Sequence, residues 1–309
     1  MKPIPPHFRV LDEVQRALTH DSPVVALEST VITHGLPAPH NLRLARDMEA
    51  GVRSRGATPA TIAILDGSVR VGLTDVELES LAKHPAIKVS LRDFATALTQ
   101  KINGGTTVAG TMFAAHKVGI KVFATGGIGG VHKESSFDIS TDMQALAAIP
   151  MIVVCAGAKS ILDLPATLEY LETMGVPVLG YGTDEFPAFF SRSSGLKVSA
   201  RVNSPQDVAD FARAHWELGM HSAVLVCQPI SEADEIPRKE IDALEEQASR
   251  EAIEKGIRGQ AITPFLLQRV NELSGGRSMR ANISFLLNNA RLAAEIAKSM
   301  APPIKARSI

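Results

Sequence analysis

Short apolar runs rich in Val and Ile alternate along this chain with longer stretches in which apolar residues recur at helical spacing. The runs are Val24–Leu27, Thr61–Leu65, Ile87–Val89, Ile120–Ala124, Met151–Ala156, Val176–Leu179 and Ala223–Cys227. Continuous apolar runs this short suit strands covered on both faces. Helical periodicity predicts helices over Asn41–Arg55, Asp75–Lys83, Thr107–Lys117 and Leu162–Met174. Thr74 with Glu77 has the spacing of a capping box, and Ser204-Pro205 reads as an N-cap followed by a proline at the first helical position. Such alternation predicts an α/β domain of three layers, α/β/α, on a largely parallel central sheet, with mixed pairing allowed. Beyond Pro229 the pattern becomes helical. Segments Arg238–Lys255 and Asn282–Met300 frame a shorter one at Pro264–Leu273. This C-terminal portion is expected to pack back on the sheet, and with no repeat or linker in view residues 1–309 read as one domain.

Composition narrows the function classes. Hydrophobic residues make up 45% of the chain, enough for a sizeable core. The 32 Lys and Arg nearly balance the 33 Asp and Glu, leaving a net charge of −1. Such a chain has no general attraction to nucleic acid or anionic membrane, although a local basic spot can still hold a phosphate. Both cysteines, Cys155 and Cys227, lie in apolar runs and read as buried thiols of a reducing compartment. No run approaches membrane-spanning length and Met-Lys-Pro-Ile-Pro-Pro has no apolar signal stretch, so a cytoplasmic protein is expected.

In open α/β sheets ligands bind at the carboxyl ends of strands, and five places there carry candidate chemistry. Glu28 follows Val24–Leu27 directly; partial desolvation suits it to act as an acid, the plain alternative being a carboxylate tied to a nearby amide or Lys. Asn103-Gly104-Gly105-Thr106-Thr107 reads as a phosphate cradle at a helix N-terminus, or as a loop with a Thr cap. Thr125 to His132 holds four glycines in five residues but lacks the dinucleotide spacing; it implies unusual backbone angles or close approach, or only a flexible turn.

In Phe137-Asp138-Ile139-Ser140-Thr141-Asp142, oxygen side chains at alternate positions can converge on a hard cation; Ser140 or Asp142 can equally cap the next helix. Lys159 stands after three small residues at the end of Met151–Ala156. A partly buried Lys there loses its charge readily and becomes a nucleophile, whereas a surface Lys would snorkel to solvent. Zinc spacings and a Gly-x-Ser-x-Gly elbow are absent.

Together these segments closely resemble the pseudouridine-5'-phosphate glycosidase family, from about Pro23 to Ala297. The resemblance is carried by Val-Val-Ala-Leu-Glu-Ser-Thr (24–30), Pro-Ala-Thr-Ile-Ala-Ile (59–64), Gly-Ile-Lys-Val-Phe-Ala-Thr-Gly-Gly-Ile-Gly-Gly-Val-His (119–132), Val-Val-Cys-Ala-Gly-Ala-Lys-Ser-Ile-Leu-Asp-Leu (153–164) and Thr-Pro-Phe-Leu-Leu (263–267). It implies Lys159 as nucleophile, Glu28 as acid and Asp138 as ligand of a divalent metal, usually manganese. It places substrate contacts on Lys88, Val108 and Ser140, Thr141 and Asp142, with His132 and Asn282 on phosphate or ribose; in the mechanism expected here the helix terminus at Thr106-Thr107 joins Lys88 and His132 in holding the phosphate. A homotrimer of α/β/α subunits is implied as well. The stretch between His132 and Phe137 departs from the family pattern, being shorter and differently composed.

The implied reaction cleaves the bond between ribose C1' and uracil C5. Carbon is a poor leaving group, so the two-carboxylate scheme of ordinary glycosidases does not transfer. An amine that opens the sugar and forms an imine offers a route. C-ribosylation of another aromatic acceptor is the alternative within this chemistry. A Schiff-base aldolase and a non-catalytic sugar-phosphate sensor are alternatives outside it; the aldolase predicts retro-aldol products, and the sensor has no need of both Glu28 and Lys159.

Overall fold

The computed structural model describes residues 3–133, 138–257 and 262–302. Its strands are β1 (Phe8–Val10), β2 (Val24–Leu27), β3 (Thr58–Leu65), β4 (Ser68–Val71), β5 (Ile87–Val89), β6 (Gly104–Thr106), β7 (Val122–Ala124), β8 (Val131–His132), β9 (Ile152–Cys155), β10 (Leu162–Asp163), β11 (Val178–Tyr181), β12 (Ala200–Val202) and β13 (Val224–Cys227). The helices are α1 (Asp12–Thr19), α2 (His40–Ser54), α3 (Asp75–Lys83), α4 (Phe94–Thr99), α5 (Val108–Val118), α6 (Thr141–Ala148), α7 (Leu164–Thr173), α8 (Pro205–Glu217), α9 (Arg238–Glu254), α10 (Ile262–Leu273) and α11 (Arg277–Met300).

The centre of the main sheet runs β3-β2-β7-β9-β13-β11-β12, and every neighbouring pair in it is parallel. Fully buried strands such as Val24–Leu27 and Val224–Cys227 are what the continuous apolar runs require. At one side the sheet becomes mixed. The first half of β3 pairs with β2, and its second half pairs antiparallel with β4 and β6. On one face α11 lies across β2, β7 and β9 between α2 and α8; α5 packs on β2 and β3 with α6 beside it and α7 beside α6. Small buried residues on α11 (Ala290, Ala293, Ala294, Ala297) and on α5 (Ala109, Gly110, Ala114, Ala115) let these helices approach closely. The three-layer expectation holds, and the C-terminal helix packs back on the sheet.

Several boundaries differ from the sequence reading. Leu162–Asp163 pairs with β8 as β10, so α7 begins at Leu164. Helix α11 starts at Arg277, ahead of Asn282. Gly104–Thr106 is strand and not loop, because it is held between β5 and the far half of β3. Of the stretch between His132 and Phe137, Glu134 to Phe137 lie outside the described residues.

Candidate active site

Parallel strands end on the same edge of a sheet, so the residues that follow β2, β7 and β9 are neighbours. They line a cavity of about 320 Å³. Glu28 and Lys159 face it, together with Lys88 from β5 and Thr107 and Val108 from the start of α5. His132 at the end of β8 and, beyond it, Asp138 and Ser140–Asp142 complete its wall. Asn282 is set apart: it lines an adjoining cavity of about 80 Å³, walled by Phe189, Pro264, Leu267 and Leu286, that also reaches Glu28, Lys88 and Lys159.

Glu28 is held by two hydroxyls. Oε1 accepts from Thr125 and Oε2 from Thr30. Burial raises its pKa above the ordinary carboxyl value, against the lowering influence of Lys159 and the two hydroxyls. A carboxyl held up in this way is a ready proton donor.

Lys159 sits half-buried in a turn fixed by backbone bonds. Its N–H donates to Ile128 O at 3.1 Å, and its carbonyl accepts from Leu162 N at 3.0 Å. The turn runs alongside the glycine-rich segment: Ile128 N donates to Gly157 O at 3.1 Å and Ala156 N to Gly126 O at 2.8 Å. Glycines in that segment are required by close approach and not by backbone angle. A Cβ on Gly127 would strike the Phe189 ring, and one on Gly129 would strike Ser140. Gly157, with φ of +92°, does need the left-handed region, and its Cβ would collide with Pro187 O.

The cradle reading of residues 103–107 needs correction. Asn103 Oδ1 accepts from Asp66 N across the β3–β4 turn, and buried Thr106 uses its hydroxyl on Ile62 O and Thr111. At the start of α5, Thr107 N donates to Val89 O, Ala109 N to Asp142 and Gly110 N to the Thr107 hydroxyl. These three amides are engaged within the fold, and Thr107 and Val108 line the cavity wall at the start of the helix. Cationic side chains line the same cavity. Lys88 has its pKa lowered by burial first and then by Lys159, with Asp142 and Glu28 opposing. Arg92 also reaches this cavity.

Asp142 and Asp138 differ in kind. Asp142 is buried, and its two oxygens accept from Ala109 N at 3.0 Å and Gly129 N at 2.8 Å, joining α5 to the glycine segment. Ser140 caps α6 by accepting from Asp142 N. Asp138 is exposed on the cavity wall, and its backbone carbonyl accepts from His132 N at 3.0 Å. No three of His, Cys, Asp and Glu cluster around a metal position among the described residues. A single carboxylate fits a hard, mostly hydrated divalent ion that also takes substrate oxygens, and not a closed zinc site.

Three polar side chains at this edge carry no signal in the sequence reading. Thr30 and Thr125 orient Glu28. His34 lies on the π-helical turn Val31–Gly35 and lines the smaller cavity. Burial and then Lys88 lower its pKa, and its Nδ1 lies 2.7 Å from the Thr33 hydroxyl. A π-turn beside an apolar strand end is a usable structural sign of function, but only the fold reveals it.

The family model described as indigoidine synthase A like protein matches residues 13–299. A pseudouridine-5'-phosphate glycosidase of Solibacter usitatus is 54% identical over 94% of this chain and 98% of its own length. One from Paracoccus denitrificans is 54% identical over 96% of this chain and 100% of its own. Among solved structures, the prealnumycin C-glycosynthase AlnA in complex with ribulose 5-phosphate has a TM-score of 0.88 at 41% identity, covering 96% of this chain and 97% of that one. An indigoidine synthase A-like protein from Thermotoga maritima has a TM-score of 0.87 at 36% identity, covering 94% and 95%.

Proposed function

The chain belongs to the indigoidine synthase A-like family and, within it, to the pseudouridine-5'-phosphate glycosidases, and from that premise we propose that it reversibly cleaves pseudouridine 5'-phosphate to uracil and ribose 5-phosphate. The observation that carries this reading is the convergence of Glu28 and Lys159 on one cavity beneath the ends of β2 and β9. Glu28, as an acid, protonates the ribose ring oxygen while the neutral Lys159 amine attacks C1', and the C1'–O4' bond opens. The C1'–C5 bond then breaks, its electron pair leaves with uracil and is protonated at C5, and an imine joins Lys159 to linear ribose 5-phosphate. Water hydrolyses the imine and frees the lysine.

In this proposal Lys88, Arg92 and His132 hold the phosphate, with Thr107, Val108, Ser140 and Thr141 shaping the wall around the sugar. The smaller cavity, with Phe189, Leu286, His34 and Asn282, takes the flat base. Asp138 would hold a divalent ion, Mn2+ in this reading, which supplies positive charge against the phosphate and a place for ordered water. A homotrimer in the cytoplasm belongs to the same proposal. Two buried free thiols, Cys155 and Cys227, support a reducing compartment, and among the described residues no helix is long and apolar enough to cross a membrane. Light scattering tests the trimer.

C-ribosylation of another aromatic acceptor makes the same type of bond in reverse. Identity of 54% to two glycosidases, against 41% to the C-glycosynthase, favours the nucleotide. Incubation with pseudouridine 5'-phosphate and Mn2+ should release uracil and, with borohydride, leave a reduced five-carbon phosphate adduct on Lys159. Absence of both products overturns the reading.

A further inference from the structure

Helix α9 is charged and largely solvent-facing, yet it turns one carboxyl inward. Glu245 is 4% exposed and shares the buried face with Ile241 and Ala248. Its Oε1 accepts from the hydroxyl of Ser160, itself 3% exposed, and its Oε2 has no hydrogen-bond partner among the described residues. The charged groups facing it are Lys133, Asp242 and Arg238, and Arg238 is already paired with Asp242 at 2.8 Å. A buried carboxyl with one partner is costly where an apolar side chain would fill the same space. Nothing in the reaction steps above uses it.

Ser160 follows Lys159 directly. The backbone of Lys159 is pinned on both sides, so the Ser160 side chain is the link from this turn to α9. We propose that Glu245 is a positioning residue for Lys159: through Ser160 it fixes the turn that aims the amine and couples that aim to the seating of α9. The inference rests on the reading of Lys159 as nucleophile. Burial, against the opposing Ser160 bond, holds the Glu245 carboxyl up at about 7. Near neutrality the bond from Ser160 therefore passes from one made to a neutral acid to a stronger one made to a carboxylate. The reactivity of Lys159 then rises through a limb near pH 7 that belongs to Glu245.

The test measures the rate at which ribose 5-phosphate and cyanoborohydride label Lys159, by peptide mass spectrometry, from about pH 5.5 to about pH 8.5. Steady-state uracil release is measured alongside. Glu245→Gln keeps an acceptor for Ser160 but cannot ionise, and the limb near pH 7 should vanish from its profile. Glu245→Leu and Ser160→Ala remove the bond from either side; each should lower kcat about tenfold with KM changed less than about twofold, and the double variant should be no worse than either single one. A limb near pH 7 that persists in Glu245→Gln overturns the inference, as does wild-type kcat in a folded Glu245→Leu protein. If Glu245→Leu does not fold, the Glu245→Gln profile decides. A wild-type lysine that takes no label overturns the nucleophile reading and this inference together; labelling without uracil release overturns only the assignment of the base.

Discussion

The carboxylate of Glu28, at the end of β2, accepts a hydrogen bond from the hydroxyl of Thr125, at the end of β7. Parallel register makes the pairing: Leu27 lies beside Ala124, so the residues that follow each strand meet as well. Thr125 also accepts the side-chain amide of Asn289 on its backbone carbonyl at 2.8 Å. Glu28 is thereby tied to α11 through Thr125.

Removing that hydroxyl should move the pH profile. Burial, the larger influence, raises the pKa of Glu28, and the Thr125 bond lowers it. Thr125→Val therefore pushes the carboxyl further up, because a hydrogen bond that favours the charged form is lost. A general acid must be protonated, so activity falls as pH rises through its pKa. The high-pH limb of kcat/KM should shift upward in Thr125→Val and stay in place in Thr125→Ser. An unshifted limb in the valine variant would remove Glu28 from the acid role.

Lys159→Ala should lose the covalent adduct while the cationic wall remains. Labelling by borohydride should disappear from the peptide and kcat should fall by on the order of 10⁴, as when a covalent nucleophile is deleted. Binding of inorganic phosphate, read by calorimetry, should change less than about threefold, since Lys88, Arg92 and His132 are intact. Residual labelling of the protein under the same conditions would place the nucleophile elsewhere.

Asp138 and Asp142 should separate cleanly under mutation. Asp142→Asn sets an amide donor against one of two backbone N–H groups, Ala109 or Gly129, and should cost about 1–3 kcal/mol of stability with or without Mn2+. Asp138→Asn should leave the melting temperature of the metal-free protein unchanged and abolish the rise produced by Mn2+. Retention of that rise in Asp138→Asn would move the metal to other ligands.

What was legible in the sequence follows from what a side-chain pattern can carry. Glu28 and Lys159 each break an apolar run at its carboxyl end, and in a parallel sheet that break marks the mouth of the site. Strand β6 was not legible, because Gly104 and Gly105 have no side chains to form a pattern and their extended state comes from pairing with β3 and β5. His34 and Arg92 look like surface residues in sequence; their place in the cavities depends on a π-turn and a short 3-10 turn. Glu245 did leave a sign. It falls in helical phase with Ile241, Ala248 and Ala252, one acidic residue on an otherwise apolar stripe, but neighbouring charges hide the phase.

The pH dependence of stability checks that buried carboxyl without any substrate. In the unfolded chain Glu245 titrates near its ordinary value of 4.5, and in the fold it is held up to about 7. Between those values the folded protein binds more protons than the unfolded one. The stabilising contribution of the neutral acid is therefore fully present below the unfolded value and is lost as pH rises through about 7. At about 1.4 kcal/mol per unit, complete ionisation costs on the order of 3 kcal/mol. Glutamine cannot ionise, so the stability of Glu245→Gln relative to the parent should improve between about pH 5 and about pH 8, by up to that amount. The change with pH is the quantity to read, because a buried amide brings its own unmet donors at every pH. Denaturant titrations at both pH values supply it, and a difference between the two proteins that does not vary with pH would mean the carboxyl is ionised in the fold at its ordinary value.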